Sequence, residues 1–276
     1  MMQRYSWSRW FLWVAVGLMS VPAILSAAEK AKPAAAEKTK AVAAEKAKPA
    51  AAEAAKAAAP EHDAKASITP APRPDAWWQQ RHESMNARVK KGNVDLLLIG
   101  DSITHGWEGG GKDVWAKFYE KRNAVNLGIG GDRTQHVLWR LENGNIEGIK
   151  PKLAVIMIGT NNSGTDTVPE IADGVRAIVK KLRTTLPDTK ILLLGIFPRD
   201  EQPSKRRGDL LQVNQIIARL DDGKNVHYMD IGSRFVDDNG SIPKEIMPDF
   251  LHPSPAGYQI WADAIEAKVA ELMGEK

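Results

Sequence analysis

The strongest constraint on the fold is an alternation that runs from position 94 to the C-terminus: five short apolar runs, each followed by a longer amphipathic one. The runs at 94–99, 124–127, 153–158, 190–196 and 226–231 are mostly continuously hydrophobic and do not alternate with polar residues. Strands that read this way are covered on both faces, as in a parallel sheet. The segments 114–121, 134–141, 169–186, 204–220 and 255–272 carry helical spacing, and Pro255 suits a first helical turn. Strand and helix in regular succession predict an α/β fold. The expected form is a three-layer α/β/α sandwich on a five-stranded parallel sheet, flavodoxin-like in order. About 200 residues suffice for a substantial core.

The chain ahead of this pattern has a different character. Arg4 and Arg9 precede an apolar run over 10–25, and the small residues Ser26, Ala27 and Ala28 follow it. A basic start, a short apolar stretch and a small-residue exit predict a secretory signal over 1–28, cleaved after Ala28, and hence export to the periplasm or the exterior. The competing reading is an uncleaved anchor, which would be the chain's one contact with a membrane. Pro22 and a run shorter than the roughly 20 residues needed to span a bilayer weigh against it.

Residues 29–74 are mostly Ala, Lys, Glu and Pro, and AKPAAAEK at 31–38 returns as AKPAAAEA at 47–54. With so few large apolar side chains, burial cannot offset the entropy of ordering such a stretch. It reads as a low-complexity linker, either a neutral spacer or a tether. A folded domain over 75–276 is then expected to begin at Trp77-Trp78.

Composition excludes several kinds of chemistry. With no cysteine there are no disulfides, thiolate metal sites, cysteine nucleophiles or lipidated cysteine. The net charge of +4 and a pI near 9.1 would suit an acidic partner. The domain, however, has no dense basic stripe with interleaved aromatics, so no nucleic-acid partner is expected. No histidine pair has metal-ligand spacing, and the expected mechanism uses no metal or cofactor.

In open α/β sheets, function gathers beyond the C-terminal ends of the strands. Four polar blocks fall there: Gly100-Asp101-Ser102, Gly128-Ile129-Gly130-Gly131, Gly159-Thr160-Asn161-Asn162, and Asp249-Phe250-Leu251-His252 before the last helix. A serine hydroxyl becomes a competent nucleophile only when a base takes its proton. His252 suits that task, since an unperturbed imidazole titrates near pH ~6.5. Asp249, three residues earlier, can reach the other ring nitrogen and stabilise the imidazolium. The backbone N–H groups of Ser102 and Gly131 and the Asn161 amide can converge on an oxyanion, where one donor is typically worth ~3–4 kcal/mol of barrier.

These blocks, in this order, resemble those of the SGNH (GDSL) hydrolases. The runs LGIGGDRTQHVLWRLENG at 127–144 and LHPSPAGY at 251–258 are similar to the catalytic-subunit type of platelet-activating-factor acetylhydrolase IB and its bacterial relatives. The resemblance spans about residues 75–272 and implies that Ser102, Gly131, Asn161 and His252 carry catalysis, with Asp249 completing a triad. It further implies a preference for short acyl groups, acetyl above all, in a pocket lined by Ile103, Thr160 and Leu251. Related enzymes can form homodimers, but nothing in the sequence fixes the oligomeric state. GDSIT stands where the family name has GDSL, a swap of one aliphatic for another.

Two glycine-rich stretches imitate nucleotide sites and fail. GWEGGGK at 106–112 is followed by Asp113, where a phosphate loop needs Ser or Thr, and Arg133 replaces the third glycine of a dinucleotide fingerprint. His105 and His136 flank the motif blocks, as structural hydrogen bonders or substrate contacts. Trp107, Trp139, Phe197 and Arg199 lie near strand ends, either shaping a leaving-group pocket or packing in the core. Three functions fit: a secreted acetyl esterase on small or polymeric glycans, the same chemistry on a lipid acetyl ester, and a non-catalytic cell-surface binding module on the same fold.

Overall fold

The computed structural model describes Asp63 and residues 65–275. The expected signal segment and most of the expected linker lie outside the described residues. Five parallel strands form the sheet: β1 (Leu96–Gly100), β2 (Ala124–Gly128), β3 (Leu153–Met157), β4 (Lys190–Leu194) and β5 (Val226–Met229). Their order is β2-β1-β3-β4-β5, the flavodoxin-like arrangement expected from the alternation. The chain leaves β1 for β2 on one side and returns to β3 on the other, so the strand order reverses beside the C-terminal end of β1. That switch point is where open sheets of this kind leave a crevice.

Among the described residues seven α-helices accompany the strands: α1 (Ala76–Lys90), α2 (Ser102–His105), α3 (Lys112–Phe118), α4 (Thr134–Glu142), α5 (Val168–Thr185), α6 (Lys205–Ile217) and α7 (Pro255–Met273). Side chains alternate across each strand, so the sheet feeds two cores. Leu97, Ile99, Val125, Ala154, Ile156 and Leu193 pack with α1, α4, α5 and α6. Leu96, Leu98, Val155, Met157 and Leu194 pack with α3 and α7 on the opposite face. Three layers result. Each fully buried Leu or Ile contributes about 1.5–3 kcal/mol relative to exposure.

Helix ends follow local chemistry. At the start of α7, Pro255 follows Ser254, whose Oγ accepts the Gly257 N–H at 3.2 Å. Thr167 and Glu170 form a capping box at the start of α5.

Two differences from the sequence expectation bear on the site. Among the described residues no strand precedes helix α1, and its buried stripe is thin, consisting of Trp78, His82, Met85 and Val89, so the strand–helix alternation does not announce it. Residues 65–74, assigned by composition to the linker, pack on the domain. Ser67 is buried and its carbonyl accepts the Thr134 hydroxyl at 2.8 Å, and the Ala71 N–H donates to the Gln135 carbonyl at 3.2 Å. Backbone hydrogen bonding anchors this segment where hydrophobicity gives no signal.

Candidate active site

Strand β1 ends at Gly100, and Ser102 opens α2 directly beyond it. The tight transition is held from inside: Asp101, fully buried, accepts the Ile103 N–H at 3.0 Å through Oδ1. Burial pushes the Asp101 carboxyl up to about 7, an effect that the Ile103 N–H opposes and neighbouring Asp132 reinforces. Helix α2 lies hard against the end of β2. A Cβ added at Gly128 would stand 2.3 Å from the His105 backbone nitrogen, so only glycine fits there.

The half-buried Ser102 hydroxyl lies 2.8 Å from His252 Nε2, and His252 Nδ1 lies 2.6 Å from Asp249 Oδ2. The three residues expected to act together are joined in one chain of hydrogen bonds across 150 residues of sequence. The turn carrying two of them is built for it. Phe250 adopts a left-handed φ of +58°, unusual for a bulky side chain. With the chain so reversed, Asp249 Oδ1 accepts the Leu251 N–H at 3.1 Å and the His252 N–H at 2.7 Å, while Oδ2 faces the imidazole. Partial burial raises the Asp249 carboxyl, but the His252 ring and these two N–H donors outweigh it and hold it below the ordinary carboxylate value.

The loop after β2 brings Gly130 and Gly131 to the serine. A Cβ at Gly130 would stand 3.8 Å from Ser102 Cβ, and Gly131 has φ +77°, a conformation that favours glycine. Asn161 reaches the same loop, its Nδ2 donating to the Asp132 carbonyl at 2.9 Å, which leaves the amide's second hydrogen for another acceptor. The adjacent Asn162 is buried and does separate work. Its Oδ1 accepts the Thr134 N–H at 3.1 Å and its Nδ2 donates to Asp166 at 2.7 Å, tying the loop after β3 to α4.

Of the expected acyl-pocket residues, Ile103 and Thr160 are fully buried and Leu251 is partly so. Arg199 Nη1 donates to both the Thr160 carbonyl and its hydroxyl at 3.2 Å, a contact that holds the loop after β3.

Beneath the Gly130–Gly131 loop lies a polar anchor that motif reading does not find. Asp132 and Arg140 are both fully buried, with Arg140 Nε 2.8 Å from Asp132 Oδ2 and the Trp78 indole N–H donating to Oδ1 at 2.6 Å. Arg140 Nη1 also donates to Asn145 at 2.6 Å. The i,i+8 spacing of Asp132 and Arg140 is the one sequence signal, and it carries little because the two are joined through tertiary structure.

His136 accepts the Arg133 N–H at Nδ1, 3.0 Å away, and burial with three nearby arginines pushes its pKa down to about 4. It is a capping group of α4. Trp107 and Phe197 are buried in the core, which settles them as packing, and Trp139 packs against Trp78 and His82.

A hydroxyl–imidazole–carboxylate relay at the C-terminal ends of a parallel sheet, beside a glycine loop and an asparagine amide, defines the class as α/β acyl hydrolases. The chain belongs to the GDSL-like Lipase/Acylhydrolase family, whose model matches residues 98–260. It is a carboxylic ester hydrolase by that membership. It is 37% identical over 202 residues to platelet-activating factor acetylhydrolase IB subunit alpha2 of Rattus norvegicus, a match covering 73% of this chain and 87% of the relative. A GDSL-like lipase from Bacteroides thetaiotaomicron shares the fold with a TM-score of 0.58 at 20% identity, over 70% of this chain and 97% of that one. An acetylxylan esterase from Geobacillus stearothermophilus does so with a TM-score of 0.52 at 21% identity, over 67% and 96%.

Proposed function

We propose that the protein is an exported serine esterase that removes short acyl groups, acetyl above all, from carbohydrates. The observation that carries this reading is the unbroken relay from Ser102 through His252 to Asp249, with contacts of 2.8 and 2.6 Å. His252 Nε2 takes the hydroxyl proton as Ser102 Oγ attacks the ester carbonyl carbon. Asp249 stabilises the imidazolium and holds the tautomer that presents Nε2 to the serine. The developing oxyanion is met by the N–H groups of Ser102 and Gly131 and the free amide hydrogen of Asn161. His252 then returns the proton to the departing alkoxide, leaving an acyl-Ser102 ester. Water, deprotonated by the same imidazole, hydrolyses that ester.

Two features support a short acyl group. The relative at 37% identity is named an acetylhydrolase. Ile103 and Thr160 are fully buried, so a long acyl chain would have to displace packed side chains. The basic, then apolar N-terminus supports export; among the described residues no helix is long and apolar enough to cross a membrane. A second reading, a lipid acetyl ester as substrate, draws on that relative's name alone.

The test is hydrolysis of p-nitrophenyl acetate, butyrate and octanoate by the protein and its Ser102→Ala variant. The expected result is a steep fall in kcat/KM with chain length and loss of turnover in the variant. Equal rates on octanoate would overturn the short-acyl reading, and an active variant would overturn the nucleophile. N-terminal sequencing of the mature protein tests export: a start at Glu29 supports a cleaved signal, and an intact Met1 in the membrane fraction supports an anchor.

A further inference from the structure

Only three large hydrophobic side chains are exposed among the described residues: Ile68, Trp77 and Leu211. One of them stands at the nucleophile. The outer edge of the Trp77 ring comes within 4.0 Å of the place a Gly130 Cβ would occupy, and Ser102 Cβ and His105 Nδ1 each come within 3.8 Å of the same point. Trp77 is 46% exposed although its ring is held in place, with the Arg73 guanidinium carbon 5.1 Å from the ring centroid.

Arg73 is itself fixed, with Nη1 donating to the Gly130 carbonyl at 2.7 Å and Nε to Asp75 at 3.1 Å. A second arginine from the same stretch, Arg81, donates to the Gly128 carbonyl at 2.8 Å and grips Glu108 with both terminal nitrogens. The chain ahead of β1 thus clamps the Gly128–Gly131 loop from outside and sets an aromatic ring beside the serine. Packing alone would bury that ring; here nearly half of the residue meets solvent.

We infer that Trp77, Arg73 and His105 form the leaving-group subsite and that it takes a pyranose ring. The inference rests on the esterase reading and extends it to the other side of the scissile bond. A pyranose presents an apolar C–H face to an indole and hydroxyls to the polar groups around it. Burial and nearby Arg81 push the His105 pKa down, which favours the neutral ring with its one donor and one acceptor for those hydroxyls. Arg73 Nη2 has no hydrogen-bond partner among the described residues and adds donors at the same rim.

A lipid leaving group fits less well. Its chains need a continuous apolar surface, whereas the groups set beside Trp77 here are the Arg73 guanidinium and the His105 ring. A choline-type cation would meet Arg73 on the ring that should receive it.

The experiment compares a monoacetylated methyl xylopyranoside with ethyl acetate, whose leaving group has no ring. Trp77→Ala is expected to lower the ratio of kcat/KM for the two substrates about fivefold or more, within the range of one aromatic contact, chiefly through KM. Trp77→Phe should restore much of the ratio. Equal losses on both substrates, or no loss on either, would overturn the assignment. So would a selective loss on an acetylated ether phospholipid with the sugar ester unaffected.

Calorimetric titration of Ser102→Ala with xylotriose keeps the two readings separable. Binding that is lost when Trp77→Ala is added supports the subsite even if the wild-type protein turned over no ester. Absence of saccharide binding in an enzyme that does cleave ethyl acetate would remove the subsite and leave the esterase reading standing.

Discussion

Replacing Arg140 by methionine isolates the buried anchor beneath the Gly130–Gly131 loop. Methionine conserves much of the volume, so the change is mainly electrostatic. Arg140 has no exposed surface and donates to Asp132 at 2.8 Å and Asn145 at 2.6 Å. Its removal leaves the buried Asp132 carboxylate with the Trp78 indole as its hydrogen-bond donor and only the more distant Arg73 Nη1, 3.8 Å from Oδ1, as a counter-charge. Breaking a buried pair from one side typically costs about 3–5 kcal/mol. For a domain of this size that corresponds to a fall in Tm of roughly 6–20 °C.

The charge left behind, not the lost packing, sets this cost. Adding Asp132→Asn, which preserves an acceptor for the indole N–H, should therefore restore about half of the loss. The assay is urea unfolding of wild type, both single variants and the double variant, completed as a double-mutant cycle. Because burial pushes the Asp132 carboxyl up and Arg140 opposes it, Arg140→Met should also be least stable at high pH and recover on acidification, as protonation removes a buried charge that Arg73 alone balances less closely. A cost below about 1 kcal/mol for Arg140→Met, or a cycle with no coupling, would refute the argument.

The remaining predictions concern the site and its pH dependence. Asp101 has a folded-state pKa of about 7 against 3.8, so its stabilising contribution is complete below 3.8 and disappears as pH rises to 7. Between pH 5 and 8 the stability of Asp101→Asn should therefore gain about 2–3 kcal/mol on wild type by chemical denaturation, and parallel curves would count against a buried, titrating carboxyl. His136 behaves oppositely. With its pKa depressed to about 4, its contribution is present above 6.5 and lost as pH falls through 4, so wild type should lose Tm over that range faster than His136→Asn. Asn161→Ala should lower kcat on p-nitrophenyl acetate by about 10²–10³ with little change in KM, and a pure KM effect would remove Asn161 from the oxyanion site. Gly131→Ala, which forces a side chain into φ +77° and to 3.0 Å from Arg73 Nη1, should cut activity while leaving the Ser102–His252 relay intact, as labelling of Ser102 by a fluorophosphonate would show.

Much of this molecule is legible in the sequence because its sheet is covered on both faces. Continuous runs such as LLLIG and KILLL have few other stable uses, and the strands are found where those runs lie. The meeting of the motif blocks was legible for a related reason: parallel strands all point one way, so blocks at their ends converge without further information. The tightness of the turns was not legible. Nothing in the word DFLH announces that Phe250 turns left-handed to aim both Asp249 oxygens.

Aromatic roles stayed open in the sequence where exposure decides them. Trp107 and Phe197 stand near strand ends in sequence and are buried. Trp77, which reads as the first hydrophobic step of the domain, is the ring left in solvent. The Asp132–Arg140 pair and the packing of residues 65–74 escaped because both depend on contacts between elements, which no local pattern encodes.

The clamp formed by Arg73, Trp77 and Arg81 precedes the first motif block and lies outside the 98–260 span of the family match. In the proposed reading, the relay that breaks the ester and the surface that meets its alcohol are therefore written on different stretches of chain. A change at position 77 can alter which alcohol is accepted without touching a residue of the relay. A fragment trimmed to the family boundaries would retain the Ser102–His252–Asp249 relay and lose the Arg73–Trp77–Arg81 clamp. Swapping residues 65–90 between relatives is accordingly a direct way to exchange preferences while the chemistry stays fixed.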